Sequence, residues 1–233
     1  MKETIYITGV SKGLGRETAL RFLESGHSVV GIGRSHNIEH PNFTFISCDL
    51  SDAEQVKAIE FERESAAVLI NNAGLIGPLN RFLDASVKDS IDVFQVNTLA
   101  VMQLTHAFLA NTSEKRTVIT ISSGAATRSI PGWAAYCASK AAVDRFMETV
   151  QLECQEKGLQ HRLFSVSPGV IDTPMQEAIR AAKPDEFSSL ETFKELNNKK
   201  ELQSPQLLAK KIEALVQNEK PYPCLLHLRD VME

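Results

Sequence analysis

The chain has 233 residues, of which 43% are hydrophobic and 23% charged, the balance of one large globular domain with room for a sizeable core. Its formal net charge of -4, without a basic tract, tells against nucleic acid and anionic membrane surfaces as partners. No apolar run approaches the ~18–20 residues of a membrane helix, and four widely spaced cysteines without a CxxC pair fit free thiols in a reducing cytoplasm, with no metal centre expected.

The opening Met-Lys-Glu-Thr runs straight into a strand, so no signal peptide is expected. That strand, Thr4-Ile5-Tyr6-Ile7, ends in Thr8-Gly9-Val10-Ser11-Lys12-Gly13-Leu14-Gly15, and a helix follows through Glu24. Strand, glycine turn and helix N-terminus form a phosphate cradle, because glycines let the backbone approach a pyrophosphate and the free N–H groups favour an anion. The spacing is Gly-x-x-x-Gly-x-Gly rather than Gly-x-Gly-x-x-Gly. The second strand, Ser28 to Gly33, leads to Arg34 and Ser35, where a site for a free ribose diol would usually carry Asp or Glu. Lys12 and Arg34 instead suit a 2′-phosphate, although both also read as solvated surface cations.

The third strand is Phe43 to Ser47, followed by Cys48-Asp49-Leu50. The crossover between Arg34 and Asn42 is too short for a packed helix, so the sheet is expected to be thinly covered there. A helix is expected over residues 53–64, then a strand, Ala67 to Ile70, ending in Asn71-Asn72-Ala73-Gly74. Small residues at a strand's carboxyl end mark the place where ligands lie in open α/β sheets.

Residues 89–111 read as one long helix with an apolar stripe of Ile91, Val93, Phe94, Leu99, Met102 and Phe108, and with Asn97 inside it. A buried-strand pattern, Thr117 to Ile121, leads past Ser123 into a helix carrying Tyr136 and Lys140, which are four residues apart and share one face. A phenol of reference pKa ~10 is a poor acid at neutral pH. An ammonium about 4 Å away, at an effective dielectric of ~20, favours the phenolate by roughly 4 kcal/mol, on the order of three pKa units. Such a pair can exchange protons near pH 7, with Ser123 holding a substrate oxygen beside the phenol. Taken alone, Tyr-x-x-x-Lys also describes an ordinary solvated helix pair. The helix is expected to run to about Lys157 with Val143, Phe146, Met147, Val150 and Leu152 as apolar positions. Next come a strand, Arg162 to Val166, and the turn Ser167-Pro168-Gly169. Last are a helix capped by Ser204 with Leu207, Leu208, Ile212 and Leu215 buried, and a strand, Cys224 to Leu226.

Taken together, TGVSKGLG, Asp49-Leu50, NNAG, Asn97, the Ser123/Tyr136/Lys140 set and Ser167-Pro168-Gly169 resemble the short-chain dehydrogenase/reductase family over nearly the whole chain. The resemblance implies a single α/β domain of the Rossmann type, a doubly wound, seven-stranded parallel sheet. It implies NADPH/NADP+ held by Gly9, Ser11, Lys12, Gly13, Leu14, Gly15, Arg34, Ser35, Asp49, Leu50, Asn72, Ala73, Gly74, Tyr136, Lys140, Pro168, Gly169, Val170 and Thr173. Tyr136 would give the proton to a carbonyl held by Ser123 as hydride arrives, Lys140 would lower the Tyr136 pKa, and Asn97 would anchor a water linking Lys140 to solvent. The family also pairs the helices at 89–111 and 136–157 into a homodimer or homotetramer.

From Asp172-Thr173-Pro174-Met175-Gln176 onward the chain is similar to the sepiapterin reductase branch, and to bacterial members that reduce benzil-type diketones. That branch carries an Asp near the C-terminus for the pterin's amino edge. Here His227 falls at that place, with Asp230 one turn of chain away, which weakens the case for a pterin. Trp133, with Tyr136, Ser123 and Met175, and with Ile76 and Phe187 nearby, would wall a small aromatic or conjugated dicarbonyl under a lid spanning residues 172–203. The competing readings are a nucleotide sensor on the same fold, which would tend to lose the Tyr or Lys kept here, and an NAD-linked alcohol dehydrogenase, against which Lys12 and Arg34 argue.

Overall fold

Short apolar strands alternating with amphipathic helices dictate a layered α/β arrangement. A computed structural model describes residues 3–62, 66–110, 112, 114–218 and 220–232. Among the described residues the strands are β1 (Thr4–Thr8), β2 (Ser28–Gly33), β3 (Phe43–Ser47), β4 (Ala66–Asn71), β5 (Thr117–Ile121), β6 (Arg162–Ser167) and β7 (Leu225–His227). They form one seven-stranded sheet in the order β3-β2-β1-β4-β5-β6-β7. Every neighbouring pair is parallel, as expected. The order reverses between β1 and β4, and that switch point opens a crevice at the carboxyl ends of the strands. The helices are α1 (Gly13–Glu24), α2 (Ala53–Lys57), α3 (Val87–Phe94), α4 (Ala100–Leu109), α5 (Ala134–Glu156), α6 (Pro174–Arg180), α7 (Leu190–Asn198) and α8 (Pro205–Gln217).

Strand alternation sorts the core into two layers. Ile5, Ile7, Val68, Ile70, Ile119 and Ile121 point to one face, under Phe22 of α1 and Leu208, Ile212 and Leu215 of α8. Tyr6, Leu69 and Val118 point to the other, under Leu104 and Phe108 of α4 and Val143 and Met147 of α5. The last helix starts as its sequence requires, with Pro205 in its first turn and the Ser204 side chain accepting from the Leu207 N–H at 3.3 Å. Leu207, expected to be buried, instead lies on the outer side, 39% exposed.

Two helices differ from expectation. The helix expected over 53–64 stops at Lys57, and Glu64 lies outside the described residues. Tertiary packing overrides helical propensity here. Phe61 is drawn edge-on against Tyr6 at 4.9 Å and Phe108 at 5.1 Å, and the Glu62 N–H donates to the Tyr6 hydroxyl at 3.2 Å. The helix expected over 89–111 begins earlier, at Val87 behind the Ser86 cap, and ends at Leu109; Asn111 lies outside the described residues. It is also interrupted by a π-helical turn, Gln95–Leu99, which contains Asn97. Its stripe divides: Val93 and Phe108 are buried, whereas Ile91 is 61% and Leu99 47% exposed. On α5 likewise, Val143 and Met147 are buried and Leu152 is 59% exposed. The crossover between β2 and β3 carries no helix, as expected from its length. β7 falls one residue later than expected and pairs only with Ser165 to Ser167 of β6.

Phe22 is fully buried between α1 and the sheet. Phe22→Ala should destabilise the protein by about 3–5 kcal/mol through lost burial and the cavity left behind. Urea titration reads this as a lower midpoint with an unchanged slope; an unchanged midpoint would mean α1 is anchored elsewhere.

Candidate active site

The crevice is built where β1 and β4 end. The Thr8 hydroxyl accepts from the backbone N–H groups of Asn72 and Ala73, each at 3.0 Å. The Asn72 side chain donates to the carbonyls of Thr8 at 2.9 Å and Gly9 at 3.1 Å. This lock explains the glycine spacing. Gly9 has φ 75°, a left-handed value that costs a side chain dearly, and a Cβ on Gly15 would lie 2.2 Å from Asn72 Nδ2 and 2.4 Å from the Gly9 carbonyl oxygen. A Cβ on Gly13 would meet Thr173 Cγ2 at 3.3 Å, so Thr173 sits against the turn. Ser11 is half-buried, and Leu14 is buried in the core. Lys12 occupies the position before α1, is exposed, and neither it nor any acidic first-turn residue caps the helix. An uncapped helix N-terminus above a glycine turn is what a pyrophosphate requires.

Arg34 and Ser35 follow β2 and are exposed. Asp49 accepts from the Ser51 N–H at 3.0 Å and the Ser51 hydroxyl at 2.8 Å. Those bonds, with the charge of Arg34 adding to them, hold its carboxyl below the ordinary range. Leu50 packs into the core layer with Val30 and Ile32. Pro168 is buried after β6, and Gly169 and Val170 turn the chain, with the Val170 carbonyl accepting from the Gln203 N–H at 2.8 Å.

Asn97 is wholly buried. Its Oδ1 accepts from the Leu75 N–H at 2.7 Å, and its Nδ2 donates to the Leu75 carbonyl at 2.8 Å and to Ser139 Oγ at 3.0 Å. The side chain thus clamps the loop after β4 to α5. Ser139 completes the clamp by donating to the Tyr136 carbonyl at 2.9 Å. Gly74 lies beside this group: a Cβ there would fall 3.4 Å from Asn97 Oδ1 and 3.6 Å from Lys140 Nζ.

Ser123, Tyr136 and Lys140 come together at the carboxyl end of β5. Ser123 Oγ accepts from the Ala125 N–H at 3.1 Å and lies close enough to the Tyr136 phenol to act on its pKa. Lys140 Nζ donates to the Ile121 carbonyl at 2.7 Å and stands 5.9 Å from the centre of the Tyr136 ring. Burial raises the phenol's pKa, and the neighbouring Ser123 hydroxyl only partly opposes it. Lys140, buried as well, is pulled down to about 8. The expected lowering of Tyr136 by Lys140 is therefore not the dominant influence in this arrangement. The ammonium is turned to the Ile121 carbonyl and desolvation acts on both groups.

Trp133 stands one turn before the phenol, 5.4 Å from the Tyr136 ring edge-on. It stacks on Phe187 at 4.9 Å. Met175 and Ile76 pack against the same cluster, which also holds Ile179 and Leu190. Residues 172–203 fold as α6 and α7 and return to the β6 turn through a bridge between Ile171 and Gln203. His227 ends β7 and Asp230 lies beside Arg229 at 3.6 Å, both exposed. Thr8, Leu75 and Ile121 were not foreseen. Thr8 had a faint signal as the polar residue closing β1, whereas Leu75 and Ile121 act through their backbones and had none.

Among the described residues, no group of three or more His, Cys, Asp or Glu could hold a metal ion, and no helix is long and apolar enough to cross a membrane. Residues 3–184 match the family model for short chain dehydrogenases, so the chain belongs to the short-chain dehydrogenase/reductase family and is an oxidoreductase. It is 38% identical to a benzil reductase, (S)-benzoin forming, of Bacillus subtilis (strain 168), over 89% of this chain and 90% of that protein. It is 35% identical to the protein of the same description in Bacillus cereus, over 93% and 94%. An NADPH-dependent pterin aldehyde reductase of Arabidopsis thaliana is 29% identical over 74% of this chain and 76% of that protein. A solved short chain dehydrogenase/reductase from Saccharomyces cerevisiae shares the fold with a TM-score of 0.85 at 24% identity, covering 98% of this chain and 96% of that one.

Gly15→Ala should push Asn72 out of its lock, since the nearest obstacles include backbone that cannot yield. Calorimetry should then show dinucleotide binding lost or weakened at least tenfold while the far-UV spectrum stays native. Native affinity in this variant would remove the tight packing of Gly15 on Asn72 as a requirement.

Proposed function

We propose that the protein is an NADPH-dependent carbonyl reductase acting on small aromatic or conjugated ketones and dicarbonyls of the benzil or sepiapterin type. The observation that carries this reading is the gathering of Ser123, Tyr136 and Lys140 at the carboxyl end of β5, with the glycine turn across the crevice.

The cradle at Gly9, Gly13 and Gly15 and the open α1 N-terminus fit the pyrophosphate, and Lys12 and Arg34 fit a 2′-phosphate, where an Asp or Glu would have suited a free diol. Reduced nicotinamide bound there supplies the hydride. Ser123 holds the substrate carbonyl. Tyr136 gives its proton to that oxygen as it gains charge, and the raised phenol pKa keeps the proton in place until then. The Lys140 ammonium opposes the negative charge left on the phenolate oxygen. Asn97 and Ser139 fix α5 against the loop after β4, so that these groups stay in register.

A cleft beside Tyr136 is lined by Ile76, Phe82, Val93 and Trp133, which favour flat rings, together with the polar Asn80, Asp89 and Ser90. It measures only about 30 Å³, so a ring enters by displacing these walls. Residues 172–203 serve as the lid, closed by the stacking of Phe187 on Trp133. The exposed Ile91, Leu99 and Leu152 suit the pairing of α3–α4 and α5 with a second copy as a homodimer or homotetramer. The four free cysteines suit a cytoplasmic location.

NADPH consumption measured against a panel of ketones, vicinal diketones and pterins tests the substrate class. Diketones should lead, and activity confined to sugars or fatty acyl substrates would overturn it. Tyr136→Phe should lower turnover by at least ~10²–10⁴ with cofactor binding kept; near-native turnover would move the acid elsewhere. Arg34→Asp should reverse or abolish the preference for NADPH in calorimetry, and equal native affinity for NADH and NADPH would remove the 2′-phosphate reading.

A further inference from the structure

Trp133 is the single tryptophan of the chain and, at 6% exposure, a buried member of the cluster around Tyr136. A buried indole N–H ordinarily finds an acceptor. Here Nε1 is enclosed and has none among the described residues. The cluster around it is apolar, with Ala125, Ile179, Phe187 and Leu190. The donor is nonetheless held in place. The Trp133 backbone N–H donates to the Ile130 carbonyl at 3.0 Å, and its carbonyl accepts from the Cys137 N–H at 2.8 Å, so its backbone is fixed to the head of α5. Its ring lies against Phe187, stacked at 4.9 Å, and Phe193 at 5.4 Å, and stands 5.4 Å from the Tyr136 ring. Trp133 and Tyr136 line the same cleft. A fixed, buried donor without a partner costs stability, and it suits a ligand that brings the acceptor.

We propose that the Trp133 indole N–H is a specificity-determining donor, which takes the second oxygen of a vicinal dicarbonyl while Ser123 and Tyr136 take the first. The proposal rests on the reductase reading and narrows it, from conjugated carbonyls in general to substrates with an acceptor beside the reacting carbon. Ser123 and Tyr136 account for one oxygen only. In a vicinal dicarbonyl the second oxygen sits on the adjoining carbon, and among apolar side chains it would be buried without a donor. The indole, one turn before the phenol, supplies that donor. The second carbonyl takes no part in the proton or hydride transfer. A hydrogen bond to it draws electron density from the neighbouring carbon and makes that carbon the better hydride acceptor. A monoketone of the same outline leaves the N–H unmet, and that cost falls on the wrong substrate. The rival acceptors are protein groups. Gln176 Oε1 is likewise buried without a partner, on α6 one turn from Ile179 of the cluster, and Asn80, Asp89 and Ser90 line the cleft.

With one tryptophan in the chain, 15N-tryptophan labelling gives a single indole N–H resonance. It is recorded in the complex with NADP+, which has no hydride to give, with benzil and then with deoxybenzoin, in which one benzil carbonyl is a methylene. Benzil should move the indole proton downfield, as a hydrogen bond to a carbonyl does, and deoxybenzoin should not. Replacing Trp133 by benzothienylalanine keeps the fused ring and puts sulfur in place of the N–H. The ratio of kcat/KM for benzil to that for deoxybenzoin should then fall about tenfold, the worth of one hydrogen bond, and Trp133→Phe should lower the same ratio. Equal shifts with the two ketones, or no shift with benzil, would overturn the proposal, as would an unchanged ratio in the sulfur variant. Should neither variant fold, the native resonance decides alone. An indole resonance that Gln176→Leu moves in the ligand-free protein, and that benzil does not move further, would assign the N–H to α6 and overturn the proposal as well. A benzil-specific shift in a protein that consumes no NADPH with either ketone leaves the donor role standing and removes the reductase reading. Turnover of both ketones with equal shifts does the reverse.

Discussion

The crossing of hydrogen bonds between Thr8 and Asn72 is the constraint on which the site depends. Parallel strands pair through their ladders, but nothing in a ladder fixes how two chains leave the sheet at a switch point. Here four hydrogen bonds do so, two into the Thr8 hydroxyl and two from the Asn72 amide. Each contributes only about 1 kcal/mol net, yet leaving a buried partner unmade costs ~1–3 kcal/mol, so the group holds together or fails together. The turn at Gly9 and the Ala73-Gly74 step then lie against each other. Any larger residue at Gly15 would drive into the Asn72 amide. The glycines are therefore set by this internal contact as much as by a ligand.

A second constraint runs from the same point to the chemistry. Gly74 leads to Leu75, whose N–H and carbonyl are both taken by Asn97, and Asn97 reaches Ser139 on α5. The π turn at Gln95–Leu99 is where this happens, and an extra residue in a helical turn is a common way to swing a side chain out of its regular position. Tyr136 and Lys140 are thus referenced to β4 as well as to their own helix. Burying both has a cost, which shows as a phenol pushed up and an ammonium pulled down. The same burial excludes water, which strengthens every charge interaction that forms when substrate arrives.

Much of this was legible in the residues because strand and turn signals are local. The bounds of β2, β3 and β5 and of α1 could be read from apolar runs punctuated by Gly, Arg and Ser. The glycine turn, NNAG and the Ser123/Tyr136/Lys140 set resembled a known family in order and spacing. What could not be read depends on long-range contact. Phe61 leaves its helix because Tyr6 and Phe108, distant in sequence, offer a better place for its ring. The π turn has no compositional mark. Leu207 reads as core by hydrophobicity but lies outside the contact of α8 with the sheet. The influence of Lys140 on Tyr136 could not be ranked against burial before the depth of both was known, since the two effects have opposite sign.

The aromatic cluster joins the remaining parts. Trp133 ends the loop that leads into α5, and its ring meets Tyr136 on one side and Phe187 and Phe193 on the other. Aromatic pairs contribute about 0.5–1.5 kcal/mol each beyond their burial. The contacts of Phe187 and Phe193 with Trp133 therefore hold the 172–203 segment by about 1–3 kcal/mol. On the proposed reading of this segment as a lid over an aromatic substrate, that is weak enough for a substrate ring on Trp133 to offset the loss as Phe187 moves aside. Under the lid reading, the residue that shapes the pocket is also the one that latches it, and the nature of the latch favours ligands of the same chemistry. The Tyr136 phenol, the proposed acid, is in edge contact with that latch, so on the same reading opening changes the packing on which its burial, and hence its raised pKa, depends. On that proposed reading, lid position and acid strength are coupled through one indole ring.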